Sequence, residues 1–240
     1  MTVRSREHLG NVAVLGLGRT GEAVARYLSG LVPERVSSVA LFGGRASSPG
    51  ERTRALEALG VSVVTGTDVV SGRYDLAVAS PGIPDTSDFF LSAAACSGEV
   101  IGEPELAWRE SPDRWVAITG TNGKTTTTSL AAHLLREGGL SAEPVGNIGT
   151  TPTEALATRG PATWFVAELS SFQLATTRRF HPRAAVLLNV TPDHLEWHHT
   201  MEAYAAAKER VFDNLGAGDL AVVSVDDDWC RSTASRLEAR

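Results

Sequence analysis

Lys124 and Thr125 close the run Gly120-Thr-Asn-Gly-Lys-Thr125, whose residue types suit the phosphates of a nucleotide. A short apolar run from Trp115 leads into this polar turn, and consecutive threonines from Thr125 to Thr128 open a helical segment. Gly120 and Gly123 lack a Cβ, so backbone N–H groups there can approach an anion closely. A helix starting near Lys124 aims its positive end at the same place. Lys124 supplies a mobile ammonium for the phosphates and Thr125 a hydroxyl for Mg2+. The candidate nucleotide contacts are Gly120, Thr121, Asn122, Gly123, Lys124, Thr125 and Thr126. The spacing Gly-x-x-Gly-Lys-Thr is shorter than the ordinary nucleotide loop, because Ile118 stands where that loop has its first glycine. That argues against a plain P-loop NTPase. The competing reading is a polar turn before a helix.

Two further strand ends carry chemistry. The apolar run 164–169 holds the acid Glu168 near its end, and the run 184–190 leads into Thr191, Pro192, Asp193 and His194. A parallel sheet gathers such carboxyl ends at one edge, where Glu168, His194 and the Thr125 hydroxyl can ligate divalent ions beside a triphosphate. Asp193 reads equally well as a helix-start residue, and His133, His198 and His199 read as surface or core histidines. Of the 22 basic residues only Lys124 and Lys208 are lysines. Where charge alone would do, this chain uses arginine, so a retained lysine points to a compact amine at a phosphate or to a modifiable nitrogen.

The elements that must position these groups follow an α/β pattern. A first strand over 11–16 runs into Gly16-x-Gly18-x-x-Gly21, the three-glycine turn of a dinucleotide-type fold, with a helix over 20–31 behind it. The second strand, 36–42, ends in Gly43-Gly44 with no acid to hold an adenosine ribose, which argues against NAD. Strands over 61–64, 76–79 and 100–101 alternate with helices over 51–59, 88–95 and 103–109, the signature of a parallel sheet. Ser80, Pro81 and Gly82 form a turn at a strand's carboxyl end, where such sheets place ligands. Beyond it come the apolar strand from Trp115 that leads into the phosphate loop, the stretch 142–146 running into Asn147, strands over 164–169, 184–190 and 220–225, a helix reaching about residue 135 and a helix over 201–212 carrying Lys208. Asp226-Asp227-Asp228 reads as an acidic turn. The expected organisation is a Rossmann-like domain over 1–104, then part of a P-loop-type ATPase domain with a mainly parallel sheet over 105–240.

The 240 residues carry a net charge of −6 with no block of like charge, which speaks against a nucleic-acid partner. No apolar run approaches the roughly eighteen residues of a membrane span, and the N-terminus lacks the layout of an export signal. A soluble, cytosolic (cytoplasmic) protein is expected, with no membrane association. Cys96 and Cys230 lie far apart and suggest neither a disulfide framework nor a cysteine metal cluster.

Read together, Gly120-Thr-Asn-Gly-Lys-Thr125, Gly146-Asn-Ile-Gly149, Glu168-Leu-Ser-Ser-Phe-Gln173, Asn189-Val-Thr-Pro-Asp-His194 and Ala207-Lys208 resemble the ATP-dependent Mur ligases. The Glu-Leu-Ser-Ser-Phe-Gln-Leu string most resembles the MurD type, the D-glutamate-adding branch of the family in peptidoglycan synthesis. Gly16-Leu-Gly-Arg-Thr-Gly21 and Ala79-Ser-Pro-Gly-Ile83 resemble that branch's uridine-nucleotide turns, so the likeness covers essentially the whole chain. It implies a ligase that joins D-glutamate to UDP-N-acetylmuramoyl-L-alanine through an acyl phosphate, using ATP and two Mg2+ ions.

The resemblance also implies roles. Lys124 would bind the β- and γ-phosphates, Thr125 and Glu168 the nucleotide's Mg2+, and His194 a second Mg2+. Lys208 matches a lysine that the family carries as a carbamate, an anion able to support a metal or its water. Gly18, Arg19, Thr20, Ser80, Pro81, Gly82 and Asn147 match contacts to the UDP-sugar. Gly43-Gly44 departs from the polar stretch that the family commonly offers the uridine nucleotide, and Arg45 is expected to restore a charge contact there. The family's members have three domains, and these residues match the first and part of the second. The D-glutamate-accepting domain is therefore expected outside them, with the chain alone unable to complete the reaction. Two rival readings are a module that binds the UDP-sugar without turnover and a folylpolyglutamate-synthase-like ligase.

Overall fold

A computed structural model describes residues 7–239, and the chain divides into two compact units, Met1–Leu106 and Ala107–Arg240. The first contains β1 (Gly10–Leu15), α1 (Arg19–Ser29), β2 (Val36–Phe42), α2 (Glu51–Glu57), β3 (Ser62–Val64), β4 (Leu76–Ala79), α3 (Asp88–Cys96) and β5 (Val100–Gly102); α4 (Glu103–Glu110) carries the chain across the division. Its sheet has the order β3-β2-β1-β4-β5 with every pair parallel. Successive strand residues face opposite sides, so the sheet feeds two cores. Val12, Val14, Leu41 and Val78 pack with Val24 and Leu28 of α1. Ala13, Leu15, Phe42 and Ala79 pack with Phe89 and Phe90 of α3. Strand order reverses at β1, which opens a crevice at the carboxyl ends of β1 and β4.

The second unit repeats the plan with β6 (Trp115–Thr119), α5 (Lys124–Glu137), β7 (Ala142–Gly146), α6 (Pro152–Ala155), β8 (Trp164–Glu168), α7 (Ser171–Ala175), β9 (Ala184–Leu187), α8 (Leu195–His198), α9 (Met201–Glu209), β10 (Leu220–Val223) and α10 (Asp228–Glu238). Its sheet is β10-β9-β6-β8-β7, again all parallel. Trp115, Ala117, Phe165 and Leu187 supply one face's core, Ile118, Val166 and Ala132 the other's. The α/β class with two parallel sheets is as the alternation of runs predicts.

Several boundaries differ from expectation. The strand expected over 184–190 stops at Leu187, because Asn189 and Thr191 turn to hydrogen-bond the loop after β6. The helix expected over 201–212 ends at Glu209 and tightens into a 3-10 turn over Arg210–Phe212. Asp227 does not belong to a simple acidic turn: its carboxylate accepts the Cys230 N–H at 2.8 Å and so caps α10. Short α6, α7 and α8 go unpredicted; α6 and α7 are held by local caps such as the Ser170–Gln173 reciprocal pair, and α8 follows the left-handed His194 without a side-chain cap.

Candidate active site

Register builds the site in the second unit. Ile118 lies opposite Glu168 of β8 and Val186 of β9, and Gly146 of β7 also lies opposite Glu168. Four strands therefore release their loops at one level. Gly120 leaves β6 with φ +155°, and a Cβ there would sit 3.0 Å from the Leu188 Cβ, so the turn requires glycine. Gly123 at φ +81° then caps α5. The Lys124 ammonium folds back over the turn and donates to the carbonyls of Gly120 at 2.9 Å and Thr121 at 2.8 Å.

Glu168 is 1% exposed, and both its carboxylate oxygens are engaged. Thr125 Oγ1 donates to Oε2 at 2.8 Å and Asn147 Nδ2 donates to Oε1 at 2.8 Å. Thr125 gives its proton to the carboxylate, so its oxygen lone pairs remain for a cation. Among the described residues no three His, Cys, Asp or Glu side chains gather as a metal cage. The donor set instead fits Mg2+, which takes one or two protein oxygens and fills its remaining positions with water and phosphate.

Lys208 of α9 is a second buried charge beside this loop, 1% exposed. Its Nζ donates to the Gly120 carbonyl at 2.8 Å and stands 4.5 Å from the Tyr204 ring centre. Both lysines of the chain thus converge on one carbonyl oxygen. Burial, and secondly the Lys124 charge, lower the Lys208 ammonium to about 7. Tyr204 lies one helical turn earlier on the same helix face, its hydroxyl 3.0 Å from Thr121 Oγ1.

His194 adopts φ +53°, a left-handed backbone uncommon for a side chain with a Cβ. Its ring is about half exposed, packs on Phe172 at 4.8 Å and has Nε2 3.4 Å from the Asp193 carboxylate. The expected site residues therefore fall into two joined groups, Thr125–Glu168–Asn147 and Lys124–Gly120–Lys208. His194 sits on the neighbouring aromatic cluster, without a hydrogen bond or ion pair to either group among the described contacts. His198 is buried with Nε2 2.8 Å from Ser171 Oγ, while His133 and His199 are exposed. Asn189 stands in the sequence as the first residue of the Asn189–His194 family string and as a polar residue closing an apolar run, but neither signal gives it a role; that comes from its contacts to the loop after β6.

In the first unit Gly16 turns at φ +97°, and a Cβ on Gly21 would stand 1.9 Å from the Gly16 carbonyl oxygen, so α1 meets the turn only with glycine at that position. Gly18 caps α1, which Arg19 and Thr20 begin. Ser80 sits at the end of β4 with its hydroxyl buried and without a hydrogen-bond partner, while Pro81 and Gly82 continue the turn. An orphan hydroxyl at a sheet's carboxyl edge suits a polar ligand. Arg45 does not stand free for an incoming charge: its Nε lies 3.2 Å from the Asp68 carboxylate and its N–H donates to Asp68 at 2.6 Å.

Residues 118–240 match the family model of the Mur ligase middle domain. The chain belongs to the Mur ligase family. It is 41% identical over 231 residues to UDP-N-acetylmuramoylalanine–D-glutamate ligase of Pelotomaculum thermopropionicum, covering 95% of this chain and 50% of that protein. Against the enzyme of the same name from Thermobifida fusca it is 42% identical over 230 residues, covering 93% and 48%. The chain spans about half the length of these curated relatives. Its fold is shared with a solved Mur ligase, UDP-N-acetylmuramate:L-alanyl-gamma-D-glutamyl-meso-diaminopimelate ligase from Neisseria meningitides, at TM-score 0.58 and 18% identity over 95% of this chain and 75% of that one. No described helix is long and apolar enough to cross a membrane.

Proposed function

We propose that this chain is the UDP-sugar-binding unit and part of the ATP-binding unit of a ligase that adds D-glutamate to UDP-N-acetylmuramoyl-L-alanine. The observation that carries the reading is the meeting of Thr125 and Glu168 beside a short glycine loop on which Lys124 and Lys208 converge. The names of the relatives at about 40% identity support the D-glutamate step.

In this reading Lys124 exchanges its two carbonyl acceptors for the β- and γ-phosphate oxygens of ATP, and the first-turn amides of α5 cradle the same anion. Thr125 and Glu168 hold Mg2+, which offsets charge between the nucleotide and the substrate carboxylate. The carboxylate attacks the γ-phosphorus and ADP leaves; the D-glutamate amine then attacks the acyl carbon and phosphate leaves. Asn147 keeps Glu168 oriented from its second oxygen. His194, beside Asp193, would help to hold a second Mg2+. With its ammonium lowered to about 7, about half of Lys208 is free amine at pH 7; that amine is nucleophilic toward CO2, and its carbamate would place an anion beside the loop. In the first unit Gly18, Arg19, Thr20 and the Ser80–Gly82 turn hold the uridine diphosphate end, with the Ser80 hydroxyl gaining the partner it lacks.

The test is calorimetric titration with UDP-N-acetylmuramoyl-L-alanine and with Mg2+-ATP, followed by phosphate release on adding D-glutamate. Binding of both ligands is the expected result for these residues, with release requiring the part that accepts D-glutamate. Failure to bind either ligand would sink the reading, and binding of the sugar nucleotide alone would reduce the chain to a non-catalytic module.

A further inference from the structure

The loop that would hold the nucleotide is fixed by a residue with no part in the roles above. The Asn189 backbone carbonyl accepts the Thr121 N–H at 2.9 Å. Its side-chain Oδ1 accepts the N–H groups of Thr121 at 3.1 Å and Asn122 at 2.8 Å, and its Nδ2 donates to the Asn122 carbonyl at 3.1 Å. The Thr121 hydroxyl also accepts the Thr191 N–H at 3.0 Å. Residues 121 and 122 are therefore saturated from the end of β9, 67 and 68 positions along the chain.

This division of labour follows from the loop's length. With Ile118 in place of the first glycine of an ordinary nucleotide loop, few residues are left to satisfy one another across the turn. The amides of 121 and 122 are occupied by Asn189. The helix's own first N–H groups have no carbonyl partner within it, and Thr127 is the first with one, donating to Gly123 at 3.0 Å. The amides of 123–126 are thus the set left for an anion.

We propose that Asn189 is a positioning residue for phosphate binding: its carboxamide pins residues 121 and 122 so that the amides at the start of α5 face the nucleotide. The proposal rests on the nucleotide reading of the loop. It concerns a side chain that does not touch the phosphates and acts through the backbone it holds.

The experiment is titration of the protein with Mg2+-tripolyphosphate, which reports on the phosphate loop without an adenosine, and with Mg2+-ATP. Asn189→Ala is expected to weaken both about tenfold, the scale of one or two lost hydrogen bonds. Val211→Ala, which removes packing from the same unit's core without touching the loop, is expected to lower Tm while leaving both affinities within about twofold. Should Asn189→Ala not fold, Asn189→Asp retains the acceptor for both amides but sets a carboxylate oxygen against the Asn122 carbonyl, and it is expected to fold and to lose affinity as well. Wild-type affinity in either Asn189 variant, or an equal loss in Val211→Ala, would overturn the proposal and leave the nucleotide reading standing. No binding of either probe by the wild type would overturn both.

Discussion

At Glu168 the chain buries a carboxylate and gives each oxygen one donor, so the two donors are not interchangeable with apolar groups of the same shape. Thr125→Val keeps the branched volume and leaves Oε2 unpaired. The expected cost is about 1–3 kcal/mol in stability, read by urea unfolding, together with loss of Mg2+-dependent nucleotide binding. Unchanged Mg2+ dependence would remove Thr125 from the site. Lys208 makes a prediction in pH. Its ammonium sits at about 7 in the fold against an ordinary 10.5. Below pH 7 both folded and unfolded chains carry the proton, and the burial penalty is felt in full. Between pH 7 and 10.5 the unfolded chain binds more protons, so stability rises with pH through that window. In CO2-free buffer Lys208→Met should lose that rise, and parallel pH–stability curves for the two proteins would refute the assignment.

Among the elements, the start of β6 depends on a single guanidinium. Arg159 donates to the carbonyls of Ser111 at 2.7 Å, Arg114 at 3.1 Å and Asp113, and lies 4.0 Å above the Phe165 ring. Arg159→Ala is expected to destabilise the second unit by about 3 kcal/mol, and Arg159→Lys, with no planar fork, to recover less than half of that; near-complete recovery in a thermal melt would show that charge alone suffices. Arg159 drew no notice in the sequence because its hydrogen-bond partners are the backbone carbonyls of Ser111, Asp113, Arg114 and Thr163, which no side-chain pattern announces. The same distinction governs what could be read in advance. Strands such as β4 and β6 are apolar runs bounded by polar turns; β4 was legible with both ends and β6 from its start at Trp115. Thr125 and Glu168 were legible as strand-end chemistry because a parallel sheet fixes where strand ends go. The roles of Asn189, visible only as the first residue of a family string, and of Tyr204 were not, since their meaning lies in contacts to Thr121 made across the fold. Helix α10 was hidden because three aspartates read as a turn until Asp227 is seen bonding the Cys230 amide.

On the scale of the whole molecule, each unit builds a sheet around cores of its own, and each has a glycine whose Cβ space is taken by a strand-end carbonyl. Gly21→Ala meets the Gly16 carbonyl and Gly146→Ala meets the Glu168 carbonyl, at 1.9 Å and 2.3 Å. The first change is expected to abolish binding of the UDP-sugar while retaining that of Mg2+-tripolyphosphate, and the second to abolish binding of Mg2+-tripolyphosphate. Loss of tripolyphosphate binding in Gly21→Ala, followed by calorimetry, would contradict independent cores. A last consequence concerns the two lysines that share the Gly120 oxygen. They hold every ε-amine in the chain, so an acylating reagent followed by mass spectrometry reads this one turn and almost nothing else. Labelling of Lys124 in the free protein that vanishes with nucleotide, against a Lys208 slow to react throughout, would make the protein its own footprinting probe, with no engineered tag to place.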